Sequence, residues 1–238
     1  MKNLTLIIPA KNEEKNLPTV LNELKKINCK KIIVVNIINK KIFDIKKEFK
    51  VKVLKQKSNG YGNAIIQGLN EVKTELTAIF NADGSFDPRF LLNIKNNNLN
   101  QKFLFASRYG KNAKSDDDTI ITFIGNKIFT FLGNVLFNLN ISDILYTYII
   151  GKTLNFKKLK LKSNDFRLCV EIPIKAKKKK LILKSLPSYE RSRISGKKNV
   201  NELKDGLLIL FYLLKEFFKD NIKTWNGILL KNNRKIDK

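Results

Sequence analysis

Leu76-Thr77-Ala78-Ile79-Phe80-Asn81-Ala82-Asp83-Gly84-Ser85-Phe86-Asp87-Pro88 is the stretch whose reading settles how the chain folds. Its first five residues form a short apolar run without polar alternation, the pattern of a strand covered on both faces. The run passes into a carboxylate, a glycine and a proline-containing turn, which places Asp83 at the strand's carboxyl edge. Four runs of the same type accompany it: residues 4–9, 32–35, 51–54 and 103–106. Between them lie apolar residues at helical spacing, first Leu17, Val20, Leu21, Leu24 and Ile27, then Ala64, Ile65, Leu69 and Val72. Covered strands alternating with helices predict an α/β domain with a mostly parallel central sheet flanked by helices. Ligands of such sheets bind beyond the carboxyl ends of the strands, so functional residues are expected just after Ile8, Val35, Phe80 and Ala106.

The second half reads differently. Residues 120–139 are apolar at mixed spacing with Gly125 and Gly133, and predict a buried helix or helix pair. Lys177 to Lys180 form a solvated helix end; an apolar run at 181–183 then leads to Pro187 and a polar loop over 188–199. Residues 207–214 are apolar again and are followed by Phe217-Phe218. With no internal repeat or linker, the expected organisation is one catalytic-size domain over 1–218 and a basic tail over 219–238.

Composition narrows the function. The 238 residues are 43% hydrophobic, enough for one sizeable core, and carry 47 Lys and Arg against 21 Asp and Glu, a formal charge of +26. Such a surplus attracts anionic partners, although a lysine-rich coding bias produces it too. There is no His, so proton transfer near neutral pH falls to carboxylates, Lys, Tyr or the substrate. Cys29 and Cys169 are the two cysteines, which excludes a four-cysteine zinc site and a disulfide framework and fits a reducing cytoplasm. The aromatics fall in apolar runs and do not interleave with basic residues, which argues against nucleic-acid stacking platforms. No signal peptide is read at the N-terminus. No spanning run of about 18 apolar residues is expected either, because 120–150 is interrupted by Asn126, Lys127, Asn134, Asn138, Asn140 and Asp143. The expected location is cytoplasmic, peripheral at the inner membrane face.

Several residues carry candidate chemistry. Asp83, with Asn81 two positions before it, can hold Mg²⁺ or Mn²⁺, which take oxygen ligands and share them with substrate phosphates; an Asx turn is the structural alternative. Gly60 and Gly62 precede a helical segment and let backbone approach a ligand, or merely turn the chain. Arg108 follows a strand and Arg193 lies in the polar loop; both offer the rigid fork that grips phosphate. Asp143 sits in an apolar stretch and needs a partner or a function there.

In their order these segments resemble family 2 glycosyltransferases, and in particular the dolichol-phosphate mannosyltransferase-like group. Ile8-Pro9-Ala10-Lys11-Asn12-Glu13-Glu14 is similar to the family's opening, Gly60-Tyr61-Gly62-Asn63-Ala64 with Gly68 to its glycine-rich helix start, and Asn81-Ala82-Asp83-Gly84 to its metal motif. Ala106-Ser107-Arg108-Tyr109, Ile141-Ser142-Asp143, and Pro187-x-Tyr189 with Arg193-x-x-Gly196-x-Lys198 follow in the family's order, and the resemblance spans residues 3–218. It implies a single GT-A-type, Rossmann-like domain and inverting transfer of a sugar from a nucleotide-diphosphate donor to a polyprenyl phosphate, with an anionic membrane surface as a partner and no nucleic acid. On that reading Asp83 and Asn81 hold Mg²⁺ or Mn²⁺, Ala10, Asn12 and Glu13 line the nucleotide pocket, and Gly60 and Gly62 approach the donor. Arg108 takes the acceptor phosphate, Arg193 and Lys198 close over the donor phosphates, and Asp143 orients or accepts a proton. The chain departs from the family pattern at Asn36-Ile37-Ile38-Asn39, where acids are usual, at Asn81, at Ser185 and at Thr122. Loss of an acid at position 81 predicts weaker metal affinity, and keeps open a degenerate, non-catalytic member that binds a nucleotide sugar or lipid phosphate.

Overall fold

In a computed structural model, which describes residues 3–94, 99, 101–196 and 201–236, the apolar runs pair around the first strand. Ile7 of β1 (Leu4–Pro9) lies between Ile32 of β2 (Lys30–Val35) and Ile79 of β4 (Leu76–Ile79), all parallel, and β3 (Lys52–Lys55) extends the block beside β2. Successive side chains of these strands point to opposite faces, so each strand feeds two cores. Leu4, Leu6, Ile8, Ile33 and Val35 face α1 (Leu17–Glu23) and α2 (Lys40–Phe49). Ile7, Ile32, Val34 and Ile79 face α3 (Tyr61–Asn70). Asn39 caps α2 by accepting from Ile42 N at 3.0 Å, the usual N-cap device.

After α4 (Arg89–Asn93) the chain adds β5 (Lys102–Ser107) and a short β6 (Lys114–Ser115), then runs through α5 (Ile120–Phe137) to β7 (Ile149–Lys152). Two helices, α6 (Thr153–Lys158) and α7 (Leu168–Lys178), lead to β8 (Ile182–Pro187), β9 (Tyr189–Glu190) and α8 (Glu202–Ile236). The seven-stranded sheet has the order β3-β2-β1-β4-β7-β5-β8, with β6 and β9 forming a separate pair. β7 is antiparallel to both β4 and β5. Gly151 on β7 leaves room for the Phe103 ring, which a Cβ there would meet at 2.4 Å. The five strands read from sequence are all present; β7 and β8 are additions to their sheet, and β7 makes it mixed at one place. The boundary expected at residue 218 falls inside α8.

Two expectations about the second half change. Residues 120–137 form one helix, but it is not buried: Ile120 is 80% exposed and Phe131 66%, and Ile121, Ile124, Ile128 and Val135 are exposed too. What α5 buries is Asn126, Thr130 and Gly133. Asn126 Nδ2 donates to Tyr109 Oη at 2.7 Å, Thr130 Oγ1 accepts from Ile144 N at 3.1 Å, and Asn134 exchanges two hydrogen bonds with the Ile141 backbone. The fully buried residues of α5 are thus polar or small, while most of its apolar side chains face outward and Phe129, Leu132 and Phe137 pack against the core. For the same reason the expectation of no spanning-length run is corrected. Asn126 and Asn134 turn inward while Lys127 stays exposed, and α5, with 18 residues, is long and apolar enough to cross a membrane by length and composition. At 1.5 Å per residue it measures about 27 Å, close to a bilayer's hydrocarbon thickness. Beside it α8 carries a second outward stripe, Leu203, Leu207, Phe211, Leu214 and Phe218, while Ile209 and Leu213 turn into the core.

Candidate active site

The carboxyl ends of β1, β2, β4 and β5 open onto one region. After β1, Ala10 is buried and its N–H donates to Val34 O at 2.8 Å, so its backbone continues the sheet edge. Asn12 follows in the left-handed region at φ 61° and accepts from Asn36 Nδ2 at 3.1 Å. Asn36 Oδ1 remains buried with no hydrogen-bond partner, an open acceptor where the resemblance implies acids. Glu13 accepts from Asn16 Nδ2, and burial pushes its carboxyl above the usual range while that bond opposes the shift.

Asp83 forms the Asx turn, and its second oxygen faces a guanidinium. Its Oδ1 accepts from Ser85 N at 3.0 Å and Ser85 Oγ at 2.8 Å, an Asx turn, while Oδ2 lies 3.6 Å from the Arg193 guanidinium. The turn therefore fixes one carboxylate oxygen and leaves the other facing Arg193. Asn81 points elsewhere: its Oδ1 accepts from Tyr61 Oη at 2.9 Å, and Tyr61 shares a further hydrogen bond with Thr147 Oγ1 at 2.6 Å. Among the described residues no group of three or more Asp, Glu or Cys side chains forms a metal cluster. A divalent ion here would have few protein ligands and would borrow oxygens from a diphosphate, as Mg²⁺ sites commonly do.

Arg108 and Asp143 are brought together, and each explains the other. Asp143 is fully buried and accepts from Arg108 Nε at 2.7 Å and from its Nη2 at 3.0 Å, while Nη1 reaches Asp118 and Glu190, each at 3.4 Å. The guanidinium also lies 4.8 Å from the Tyr146 ring centroid. Burial works against its charge, yet Asp143 and Glu190 hold its pKa well above the ordinary value. Four of its five N–H groups are committed to carboxylates. Arg108 thus organises a buried acid cluster, and little of its fork is left for a phosphate. Burial raises the Glu190 carboxyl, with Arg108 opposing the rise.

Gly60 and Gly62 approach protein backbone. A Cβ at Gly60 would lie 2.1 Å from Asn164 O, and one at Gly62 2.1 Å from Ser163 O. Their absence of side chains lets the start of α3 dock on the loop at 163–165. The segment carrying Arg193 is laid across the β4 end. Arg191 N donates to Ser85 O and Ile194 N to Asp83 O, each at 2.8 Å. Arg191 forks onto Glu23 of α1, and Ser195 is tied to Asn16 by two hydrogen bonds. Ile194 fills the space beside Gly84, where a Cβ would meet it at 2.5 Å and where φ is +84°. Lys198 lies outside the described residues.

From this polar end a cavity of about 460 Å³ runs toward α5 and α8. Asn81, Asp83, Arg108, Asp117, Glu190 and Arg193 line it; α5 and α8 add apolar Ile121, Phe129, Leu203 and Ile209 together with the carboxylates Glu202 and Asp205. Tyr146 lies in its wall, 3% exposed, with its hydroxyl unpartnered.

A model of the glycosyl transferase family 2 matches residues 5–159. The chain belongs to that family. It is a nucleotide-sugar glycosyltransferase with a GT-A fold, with which the sheet order and the flanking helices agree. No curated protein matches it in sequence. Among solved structures it is similar to glucosyl-3-phosphoglycerate synthase from Mycobacterium tuberculosis in complex with Mn²⁺, UDP-glucose and phosphoglyceric acid, with a TM-score of 0.68 at 12% identity over 90% of this chain and 79% of that one. A second complex of that synthase, with Mg²⁺ and UDP, gives 0.68 at 11% identity over 90% and 78%. Mannosyl-3-phosphoglycerate synthase from Rubrobacter xylanophilus gives 0.64 at 10% identity over 93% and 75%. At such identities the likeness is one of fold.

The transferase's sequence alone leaves out three groups that the fold brings to the site. Asp117, Asp118 and Glu190 all line the cavity. The signal for two of them was present as Asp116-Asp117-Asp118, three consecutive acids in a chain of charge +26. Each of the three faces a different partner: Asp116 pairs with Lys114 and Tyr189, Asp117 with Arg193, and Asp118 with Arg108 and Tyr109.

Proposed function

We propose that the chain transfers a sugar, with inversion, from a nucleotide-diphosphate sugar held through Mg²⁺ or Mn²⁺ to a polyprenyl phosphate presented at an anionic membrane surface. The observation that carries this reading is the cavity itself. It joins Asp83 to α5 and α8, whose outward faces are apolar, so it suits a substrate with a polar head at Asp83 and an apolar tail along those faces. An outward apolar face this continuous is uncommon on a protein surrounded by water and marks an interaction surface. Lysines add attraction to anionic headgroups at about 1 kcal/mol for each that comes near.

The donor side is consistent with the same reading. Ala10, Asn12 and Glu13 lie beside the open acceptor of Asn36 for the nucleoside, and Asp83 Oδ2 serves the cation. The similar glucosyl-3-phosphoglycerate synthase was solved with Mn²⁺ and UDP-glucose and with Mg²⁺ and UDP. In the transfer, an acceptor phosphate oxygen attacks the anomeric carbon with its lone pair, the bond from that carbon to the diphosphate breaks, and the nucleoside diphosphate leaves with the electrons. When bound, the cation offsets the charge on that leaving group. A phosphate oxygen is already ionised at neutral pH and needs no base, which suits a chain without histidine. Asp143 then works through Arg108, whose guanidinium it fixes.

The test is transfer from a panel of nucleotide sugars to polyprenyl phosphate in anionic vesicles, with Mn²⁺ or with a chelator. Metal-dependent glycosylation of the lipid is expected. Transfer to 3-phosphoglycerate with none to the lipid would overturn the acceptor, and donor binding with neither transfer nor donor hydrolysis would make the chain a non-catalytic member.

A further inference from the structure

The two arginines of the site are held in different ways. Arg108 is fixed by four directed N–H contacts to three carboxylates. Arg193 is set between Asp83 Oδ2 and Asp117 Oδ2, with its Nη2 at 3.6 Å from each, and its Nε is buried without a hydrogen-bond partner. It is kept in place by charge and by the neighbouring backbone, not by a bidentate fork. Both carboxylates therefore face one point, and the cation at that point is a side chain of the protein. Asn81, by contrast, has its oxygen turned to Tyr61.

We propose that Arg193 is a place-holder for the divalent cation, and that Asp117 is the second acidic residue of the cation site, making up for the acid missing at position 81. The inference rests on the metal-dependent donor reading above and deepens it. Two carboxylates turned toward each other repel, and the guanidinium relieves that repulsion while the site lacks metal. A cation arriving with the donor competes for the same two oxygens and frees Arg193. The free guanidinium is then a donor for phosphate oxygens, with the planar fork suited to them. The segment that carries it is built to stay close during the exchange. Arg191 is forked to Glu23 and Ser195 is tied to Asn16, so the chain is anchored on both sides of Arg193 while the side chain swings. Asn16 also holds Glu13, which couples this anchor to the nucleotide side.

The exchange makes a prediction about metal binding without donor, read as loss of the free Mn²⁺ paramagnetic resonance signal during titration of the full chain. If Arg193 holds the seat about nine-tenths of the time, apparent affinity is reduced about tenfold, and Arg193→Gln should restore it. Arg193→Lys, which keeps the charge, should stay near wild type. Asp117→Asn should weaken Mn²⁺ by about tenfold or more. Asp116→Asn, one residue away but facing Lys114 and Tyr189, should leave it unchanged, which separates ligation from a general loss of negative charge. Melting curves of each variant report folding. Unchanged or weaker Mn²⁺ binding in Arg193→Gln overturns the place-holder role, and wild-type binding in a folded Asp117→Asn overturns the ligand role. UDP and GDP are added to wild type with Mn²⁺ as a separate arm: if neither raises the melting temperature, the donor reading fails while the metal results still decide the exchange.

Discussion

Replacing Arg108 by Met tests whether the acid cluster at the cavity is held together by one guanidinium. Asp143 is fully buried, Glu190 and Asp118 are nearly so, and all three turn carboxylate oxygens to Arg108 at 2.7–3.4 Å. Met fills much of the same space but brings no charge, so three acids are left facing one another. Breaking a buried pair by removing one partner costs about 3–5 kcal/mol. For a domain of this size each kcal/mol moves the melting temperature by about 2–4 °C, so a drop of roughly 6–20 °C is expected. The pH dependence has a definite sign. Glu190 is already raised by burial, and in the variant it loses the guanidinium that opposes the rise. A carboxyl whose folded pKa exceeds its unfolded value penalises the fold when ionised, and the penalty fades as pH falls through the folded pKa. The gap between wild type and Arg108→Met should therefore narrow from pH 7 to pH 5. Urea unfolding at several pH values measures it. A gap below about 1 kcal/mol at pH 7, or one that widens on acidification, would refute the assignment of Arg108 as the keeper of the cluster.

Other outcomes follow from single contacts. Asp83→Ala should abolish Mn²⁺-dependent transfer with a melting change of only a few degrees, since the residue lies at a strand end; near-normal turnover would remove it from the cation site. Gly62→Ala should destabilise by about 1–3 kcal/mol, because its Cβ would meet the Ser163 carbonyl at 2.1 Å and α3 must lift from the 163–165 loop; chemical denaturation reads this directly. Ile124→Ser with Phe131→Ser should lower co-sedimentation with anionic vesicles while leaving the melting temperature within about 2 °C, because both side chains point outward. Cys169, buried and with its thiol pushed up to about 12, should resist alkylation in the native protein while half-buried Cys29 reacts first, as mass spectrometry of the labelled chain can show.

Five strands, their alternation with helices and the placing of Asp83 at a strand end are local properties of the sequence. An apolar run of four to six residues next to a turn has few other conformations that bury it, so those elements were legible from periodicity alone. The resemblance to the family adds expected roles for Ala10, Asn12, Glu13 and Arg193. Tertiary structure decided what depends on meetings between distant segments. β7 is four residues long and reaches its place only because β4 and β5 leave a gap between them. Arg108 and Asp143, 35 positions apart, both read as residues in search of a partner, and only the fold makes them each other's. Asn81 reads as a metal ligand from its place beside Asp83, but in the fold its oxygen accepts from Tyr61, twenty positions away. α5 shows the limit most clearly. Spacing tells which residues share a helix face, but not whether that face meets protein, water or lipid. Here Asn126, Thr130 and Asn134 find hydrogen-bond partners inside the protein, so the apolar side is left facing out.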